Sequence, residues 1–204
     1  MMETLMEAGS RGGLPVIAFA MGDPAGISPE LTAKLLADSE IRPKAKFVVF
    51  GDKRILDAGA AVAKVDPDVK VVSSEDDVPA EADKPIFVDL RHLDPADVTP
   101  STATLAGGKF ATENFRRALR FAAAGKADAV FFTPFNKAAM RMAYPNYDDE
   151  IRFVRDALES DAQASEFNIL GKLWNARVTS HIPLRKVADA ITEERILRSL
   201  TLTH

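Results

Sequence analysis

The feature that most constrains the fold of this chain is an alternation of short apolar runs with amphipathic segments. Helical patterns occupy about residues 28–37, about residues 52–63 and the stretch from Gly107 onward. A strand that leads through a helix to the next strand forms a crossover connection, which joins parallel strands. The alternation therefore predicts an α/β fold with a mostly parallel sheet. The runs interpreted as its strands are LPVIAFAM (14–21), KFVVFG (46–51), VKVVSS (69–74), KPIFVDL (84–90) and DAVFFTPF (128–135).

The pattern changes after Lys137. A short helix and a loop rich in Tyr, Pro and Asn precede the helical segment EIRFVRDAL, and a tight Gly171-Lys172 turn then separates FNILG from NARVTSH. This order predicts an α+β part that contains a hairpin. We place a first α/β lobe at residues 14–130 and the start of a second lobe, with the hairpin and dimer-forming elements, at residues 131–204. Residues 1–13 are interpreted as a flexible N-terminus.

Composition excludes several classes of function. The chain has 204 residues, 47% of them hydrophobic, which is enough to bury a core. A net charge of -4, without interleaved basic and aromatic residues, argues against a nucleic-acid partner. No apolar run approaches the roughly 20 residues that span a bilayer, and no signal peptide is recognisable, so we expect no membrane partner and a cytoplasmic location. The absence of cysteine agrees with a reducing compartment and leaves His, Asp and Glu as metal ligands.

The stretch GDPAGISPE follows the first apolar run directly. We interpret Ser28 as an N-cap, followed by a proline and an acid in the first helical turn. Gly22 and Gly26 would let a ligand approach the backbone closely at the carboxyl end of the strand. Asp23 could cap the helix, contact ribose hydroxyls or hold a turn through its side chain. The alternative is that the stretch is only a tight connection between strand and helix.

Three motifs in order give a family resemblance: GDPAGISPE, AVFFTPFNKAAM and TSHIPLRKVADAIT. They resemble the 4-hydroxythreonine-4-phosphate dehydrogenase family of vitamin B6 biosynthesis and its catabolic relatives. The resemblance implies an isocitrate/isopropylmalate dehydrogenase-like fold of two α/β/α lobes, with the C-terminal part missing here, and a homodimer. It also implies oxidation of a secondary alcohol of a hydroxy acid by NAD or NADP. A divalent metal (zinc, magnesium, manganese or cobalt) would assist, and the keto product would lose CO2.

The resemblance assigns candidate site residues. His181 matches the first of three metal-binding histidines of the family, and the other two lie beyond the matching end of this chain. Lys137 matches a lysine that could neutralise a substrate carboxylate or phosphate, or relay a proton; otherwise it is a solvated residue at a helix start. Asn136 is the better helix cap. The resemblance leaves the cofactor-binding residues unassigned, with Asp23 and Gly26 as candidates in the cleft between the lobes.

Asp148 and Asp149 stand where the biosynthetic enzymes carry a substrate-binding His-Thr pair. With Glu150 they form three consecutive carboxylates, which would repel a phosphate unless a cation pairs with them. A polyol, a sugar acid or a ring diol would tolerate them better. Alternatively, they form the first turn of a helix, where its dipole favours acids. Both interpretations can hold if Asp148 caps the helix while Asp149 faces the cleft.

Two classes of function remain open. The first is a metal-assisted, NAD(P)-dependent dehydrogenase whose activity needs the downstream part and a second subunit. The second is a truncated or degenerate domain that binds a small molecule or a partner without turnover. The missing histidines and the Asp148-Asp149 pair favour the second class, whereas the three intact motifs favour the first. We favour the dehydrogenase.

Overall fold

The computed structural model describes residues 13–180 and 182–204. These residues form two compact units, one up to Asp148 and one from Asp149 to His204. The predicted lobe boundary at residues 130 and 131 falls within the last strand of the first unit. No helix in the described ranges is long and apolar enough to cross a membrane.

Over residues 13–148 the first unit contains five strands and four α-helices. Its strands are β1 (Val16–Ala20), β2 (Lys46–Gly51), β3 (Lys70–Val72), β4 (Ile86–Asp89) and β5 (Ala129–Phe132). Its helices are α1 (Ser28–Ala37), α2 (Lys53–Ala63), α3 (Leu105–Ala123) and α4 (Lys137–Ala143). The strands form one sheet in the order β3-β4-β2-β1-β5, and every pair is parallel. The predicted parallel sheet is confirmed, and each predicted strand contains an observed one.

Helices cover both faces of this sheet. Successive side chains of a strand point to opposite faces, so the apolar strands present side chains that must be buried on both sides. On one face Phe19 of β1 belongs to a core cluster with Leu36 of α1 and Leu56 of α2. On the other face α3 packs its aromatic residues: the Phe121 ring lies 5.6 Å from that of Phe50. β1 is buried between the layers, with Ala18 to Ala20 fully buried. This layering fixes the direction in which the chain leaves β1.

Close packing of α3 on α4 depends on a glycine. A Cβ atom added at Gly108 would lie 1.9 Å from the Ala139 carbonyl oxygen. The two helix backbones therefore touch at this point, and only a residue without a side chain fits. The contact sets the position of α4, which begins just after the end of β5.

The second unit contains α5 (Glu150–Ala157), β6 (Phe167–Leu170), β7 (Leu173–Ala176), α6 (Val187–Ala190) and α7 (Glu193–Thr203). β6 and β7 pair antiparallel, and Gly171 in the turn has a φ of +57°. The predicted hairpin and its turn are confirmed, but the second strand begins at Leu173 and ends before most of NARVTSH. A two-residue turn leaves no room for a later start, because Leu170 pairs directly with Leu173.

Candidate functional site

The GDPAG corner, defined as residues 22–26, and the TPFN loop, residues 133–136, lie side by side. They follow β1 and β5, which are neighbours in the sheet, so both leave its carboxyl edge. The chain continues from β1 to β2 on one side, whereas β5 flanks β1 on the other side. In open α/β sheets ligands bind outside the carboxyl ends of strands, where the strand order changes direction.

Backbone hydrogen bonds join the corner to the TPFN loop. The amide of Asp23 donates to the carbonyl of Pro134 at 2.9 Å, and the amide of Thr133 donates to the carbonyl of Ala20 at 3.2 Å. Gly22 makes this approach possible, since an added Cβ would lie 2.3 Å from the carbonyl oxygens of both Thr133 and Pro134. The two loops therefore form one structure, and the glycine is required by close contact between two backbones.

A cluster of buried hydroxyl groups lies beneath Gly22. The Gly22 amide donates to Ser28 Oγ at 2.8 Å and to Thr133 Oγ1 at 3.0 Å. These two hydroxyl oxygens are 2.5 Å apart. The prediction that Ser28 is an N-cap is wrong. Ile27 occupies that position without a side-chain cap. Ser28 is the first residue of the helix, and its hydroxyl accepts a hydrogen bond from the Gly22 amide instead.

Asp23 holds the corner through its side chain. Its Oδ1 accepts a hydrogen bond from the amide of Ala25 at 3.0 Å, which confirms the turn-holding role among its predicted ones. Its Oδ2 accepts from Asn136 Nδ2 at 3.3 Å. The Oδ1 of Asn136 accepts in turn from Ala138 and Ala139, so Asn136 is the N-cap of α4, as predicted. Gly26 is exposed beside this carboxylate. The Asp23 side chain therefore fixes both loops and remains half-exposed at the surface.

A third loop, residues 99–104, completes the surroundings of the corner. Ser101, at a φ of +59°, donates its amide to the carbonyl of Ala25 at 2.8 Å. Thr104 caps α3 by accepting from the amide of Gly107 at 3.0 Å. The first turns of α1 and α3 therefore both lie at the corner, and their partial positive charges favour a negatively charged ligand group there.

Asn114 of α3 is a buried residue of this region that sequence reasoning missed. It is fully buried, and its Nδ2 donates to the carbonyl of Met21 at 3.0 Å. Its Oδ1 has no hydrogen-bond partner among the described residues. An unsatisfied buried acceptor costs about 1–3 kcal/mol. Its position in the sequence could have revealed it. Asn114 lies four residues after Phe110, so it is a polar residue on the apolar face of the predicted helix.

A second polar cluster lies at the ends of β2 and β4. Asp52 is fully buried, and its carboxylate accepts from the amide of Arg54, from both sides of the Arg54 guanidinium and from the amide of Leu93. Burial raises the pKa of Asp52, but hydrogen bonds from the Arg54 side chain and from these amides lower it more, so the pKa lies below 3.8. This cluster anchors the chain that follows β4.

The described histidine His92 packs against an aromatic residue of the core. The His92 ring stacks on Phe110 at 4.9 Å, and burial there lowers the pKa of the imidazole. His181 lies outside the described residues. Within residues 13–180 and 182–204, no group of three His, Asp or Glu side chains is arranged to hold a metal ion.

The remaining candidates lie at helix starts. Lys137 is exposed at the first position of α4, next to the cap Asn136. Asp149 caps α5, because its Oδ1 accepts from the amide of Arg152 at 2.8 Å. The cap is thus Asp149 and not Asp148, opposite to the division of roles expected from the sequence. Substrate binding by either carboxylate remains a prediction.

Substitution of Asp149 and Asp148 by alanine separates the two roles. Asp149→Ala is expected to destabilise the second unit by about 1 kcal/mol, because it removes a helix cap. Asp148→Ala is expected to change the free energy of unfolding by less than about 0.5 kcal/mol. Urea denaturation followed by the fluorescence of Trp174, which lies in the same unit as Asp149, measures the stability of that unit in both variants. Equal losses for the two variants would contradict the assignment of the cap.

The parallel sheet and the loops at its carboxyl edge define a class of protein: a parallel α/β protein of the open-sheet type, in which ligands generally bind outside the carboxyl ends of the strands. Residues 43–204 match the family described as "Pyridoxal phosphate biosynthetic protein PdxA". The chain belongs to this family.

Individual relatives agree with the family match. The chain is 60% identical over 202 residues to "Putative 4-hydroxythreonine-4-phosphate dehydrogenase 2" of Rhizobium meliloti, covering 99% of this chain and 58% of the relative. It is 33% identical to a Pseudomonas aeruginosa protein of the same name, covering 93% of this chain and 56% of that protein.

The structural comparison agrees as well. The crystal structure of 4-hydroxythreonine-4-phosphate dehydrogenase from Klebsiella pneumoniae matches with a TM-score of 0.81 and 25% identity, over 94% of this chain and 58% of that one. The predicted α/β fold class is confirmed. The chain spans a little over half the length of these relatives.

Proposed function

We propose that the full-length protein is an NAD- or NADP-dependent dehydrogenase that oxidises a secondary alcohol of a phosphorylated hydroxy acid. The observation that carries the proposal is the junction of the GDPAG corner with the TPFN loop in a member of the PdxA family. The names of the relatives support a dehydrogenase of 4-hydroxythreonine 4-phosphate. Because the chain spans 58% of the first relative, the proposal concerns the whole protein.

The geometry of the corner supports a role in binding the cofactor. Asp23 is half-exposed, and a carboxylate can accept hydrogen bonds from ribose hydroxyls. The start of α1 has no side-chain cap, so the first-turn amides other than that of Pro29, which has no N–H, can receive a phosphate oxygen. Gly26 is exposed and leaves room for close approach of the ligand. Asp23 and Gly26 are therefore the proposed cofactor contacts.

Lys137 is the proposed catalytic residue. It begins α4 directly after Asn136, whose side-chain amide donates to the Asp23 carboxylate at 3.3 Å, and this neighbourhood supports the proposed role. An exposed ammonium group there can neutralise a substrate carboxylate or phosphate, or relay the proton of the alcohol. Asp148 and Asp149 are the proposed substrate contacts.

The other properties expected from the resemblance belong to the same proposal. They are assistance by a divalent metal with His181 as one ligand, loss of CO2 from the keto product, a homodimer, and a cytoplasmic location. Among the described residues no three His, Asp or Glu side chains form a metal cluster. Substituting His181 by alanine in the full-length protein and measuring metal content tests that part directly.

The decisive experiment is a dehydrogenase assay of the full-length protein. Reduction of NAD or NADP is followed at 340 nm with 4-hydroxythreonine 4-phosphate, and with the unphosphorylated compound for comparison. We expect turnover of the phosphorylated compound. In Lys137→Met we expect kcat/KM to fall at least about tenfold, which corresponds to at least about 1.4 kcal/mol of lost transition-state stabilisation.

Lys34→Met is the matched control because Lys34 is an exposed lysine on α1, in an i,i+4 pair with Glu30. Its kcat/KM should equal that of the unchanged enzyme. Absence of turnover with both compounds and both cofactors would refute the proposed activity. Turnover that Lys137→Met leaves intact would refute only the catalytic role of the lysine.

A further inference from the structure

The peptide unit between Met21 and Gly22 is held at both of its polar groups. Its carbonyl accepts from Asn114 Nδ2 at 3.0 Å, and its N–H donates to Ser28 Oγ and Thr133 Oγ1 at 2.8 and 3.0 Å. The partners come from three separate elements: α3, α1 and the loop after β5. All three of these side chains are buried, with Asn114 and Ser28 at 0% exposure.

This peptide unit lies directly at the start of the GDPAG corner. Its orientation determines where Gly22 and Asp23 go next, because only two dihedral angles per residue connect them to it. The amide of Asp23 then bonds to the carbonyl of Pro134 at 2.9 Å, and its carboxylate reaches Asn136. A change at the Met21 carbonyl would therefore be transmitted to the carboxylate at the surface.

We propose that Asn114 is a positioning residue of the candidate site: it holds the Met21 carbonyl, and through it the GDPAG corner, in the orientation that binds the ligand. The amide orientation is set by chemistry, since only the NH2 group can donate to a carbonyl. The Oδ1 then stays buried without a described partner. Packing alone does not require such a group, because an apolar residue of similar size would fill the same volume without burying an unsatisfied Oδ1.

Asn114→Leu is the main test variant because leucine has a similar volume and no hydrogen-bonding group. Hydrogen exchange is measured by mass spectrometry on the full-length protein. The amides of residues 22–26 are expected to exchange at least about tenfold faster than in the unchanged protein, with strands β2 and β4 unaffected. A uniform acceleration in all strands would mean that Asn114 has only a general structural role, which overturns the proposal.

Thr112→Val is the matched control. Thr112 is buried on the same helix, but its hydroxyl donates only to the carbonyls of Gly108 and Lys109 within α3. The variant therefore removes a buried polar group from α3 without touching the corner. Its exchange rates at residues 22–26 should stay within about twofold of the unchanged protein. Equal acceleration in both variants contradicts the proposal.

Asn114→Asp provides a second test that holds even where the leucine variant does not fold. A carboxylate cannot donate to the Met21 carbonyl, whereas the protonated acid can. Burial raises the pKa of such a carboxyl group. At each pH, the exchange rate of residues 22–26 in Asn114→Asp is divided by the rate in the unchanged protein. This ratio is expected to fall toward one as the pH is lowered. A constant ratio overturns the proposal.

The ligand readout rests on the proposed function. In Asn114→Leu the Kd for NAD, or for NADP if that is the cofactor, is expected to rise about tenfold, with kcat changed less than KM. If the unchanged protein binds neither nucleotide, the proposed function fails, and the exchange measurements still decide the role of Asn114. If it binds one and Asn114→Leu binds it equally well, the positioning role is refuted.

Discussion

Replacing Gly22 by alanine is expected to destabilise the first unit by about 3 kcal/mol and to abolish ligand binding at the corner. The new Cβ would lie 2.3 Å from the carbonyl oxygens of Thr133 and Pro134, where ordinary contact needs more than 3 Å. Both obstacles are backbone atoms, so no side-chain rotation can relieve the clash. Separating the loops would break the hydrogen bond from Asp23 to Pro134 and move Thr133 Oγ1 away from Gly22.

Chemical denaturation followed by far-UV circular dichroism measures the effect, and NAD titration measures the loss of binding. Gly26→Ala is the matched control in the same corner. Its Cβ would approach only the Asp23 carboxylate oxygen, at 3.1 Å, and that side chain can move. The control is expected to stay within about 1 kcal/mol of the unchanged protein. Equal stability of the two alanine variants would show that the two loops do not touch at Gly22.

Replacing Asp52 by alanine is expected to cost about 2–3 kcal/mol. The carboxylate is fully buried and caps α2, and its removal leaves the amides of Arg54 and Leu93 without their acceptor. The Arg54 side chain is 43% exposed, so its charge can return to water, and we expect less than the full cost of an unpaired buried charge. Thermal and urea unfolding measure the loss.

The same carboxylate gives the stability a pH dependence. Its pKa in the folded protein lies below the ordinary 3.8, so its contribution is present above that value and is lost as the pH falls through the folded pKa. Asp52→Asn should therefore flatten the decline of stability below about pH 4.

Asp57→Ala is the control for Asp52, since its exposed pair with Lys53 on α2 contributes less than about 0.5 kcal/mol. If Asp57→Ala were as destabilising as Asp52→Ala, this would contradict the larger contribution to stability that we assign to the buried carboxylate.

Local patterns were sufficient to predict the strands, α1, α2, α3 and the hairpin turn. KFVVFG became β2 over the predicted residues, and the cap at Asn136 was recognised from its position before α4. These features depend on neighbours in the sequence. The composition of a strand or a cap is visible within a few residues, which is why such predictions succeed.

The partners across the site could not be predicted in the same way. Ser28 has the residue type and position of a cap, yet its hydroxyl bonds to Gly22 because the sheet places Thr133 and Gly22 beside it. Asn114 lies 93 residues from its partner Met21. Such pairs follow from the order of strands in the sheet and from the helix layer above it. Neither the strand order nor the helix placement can be inferred from a short stretch of sequence.

The distance along the chain between Gly22 and Thr133 has a consequence for biosynthesis. They are 111 residues apart, and at a translation rate of roughly 5–20 residues per second the ribosome needs about 6–22 s to add the second after the first. During that time β1 can pair with β2 but lacks its other neighbour, β5. The corner therefore acquires its hydrogen bonds to the TPFN loop only after β5, the last strand of this sheet along the chain, has been synthesised, and a nascent chain that stalls before residue 133 exposes an edge of β1 without them.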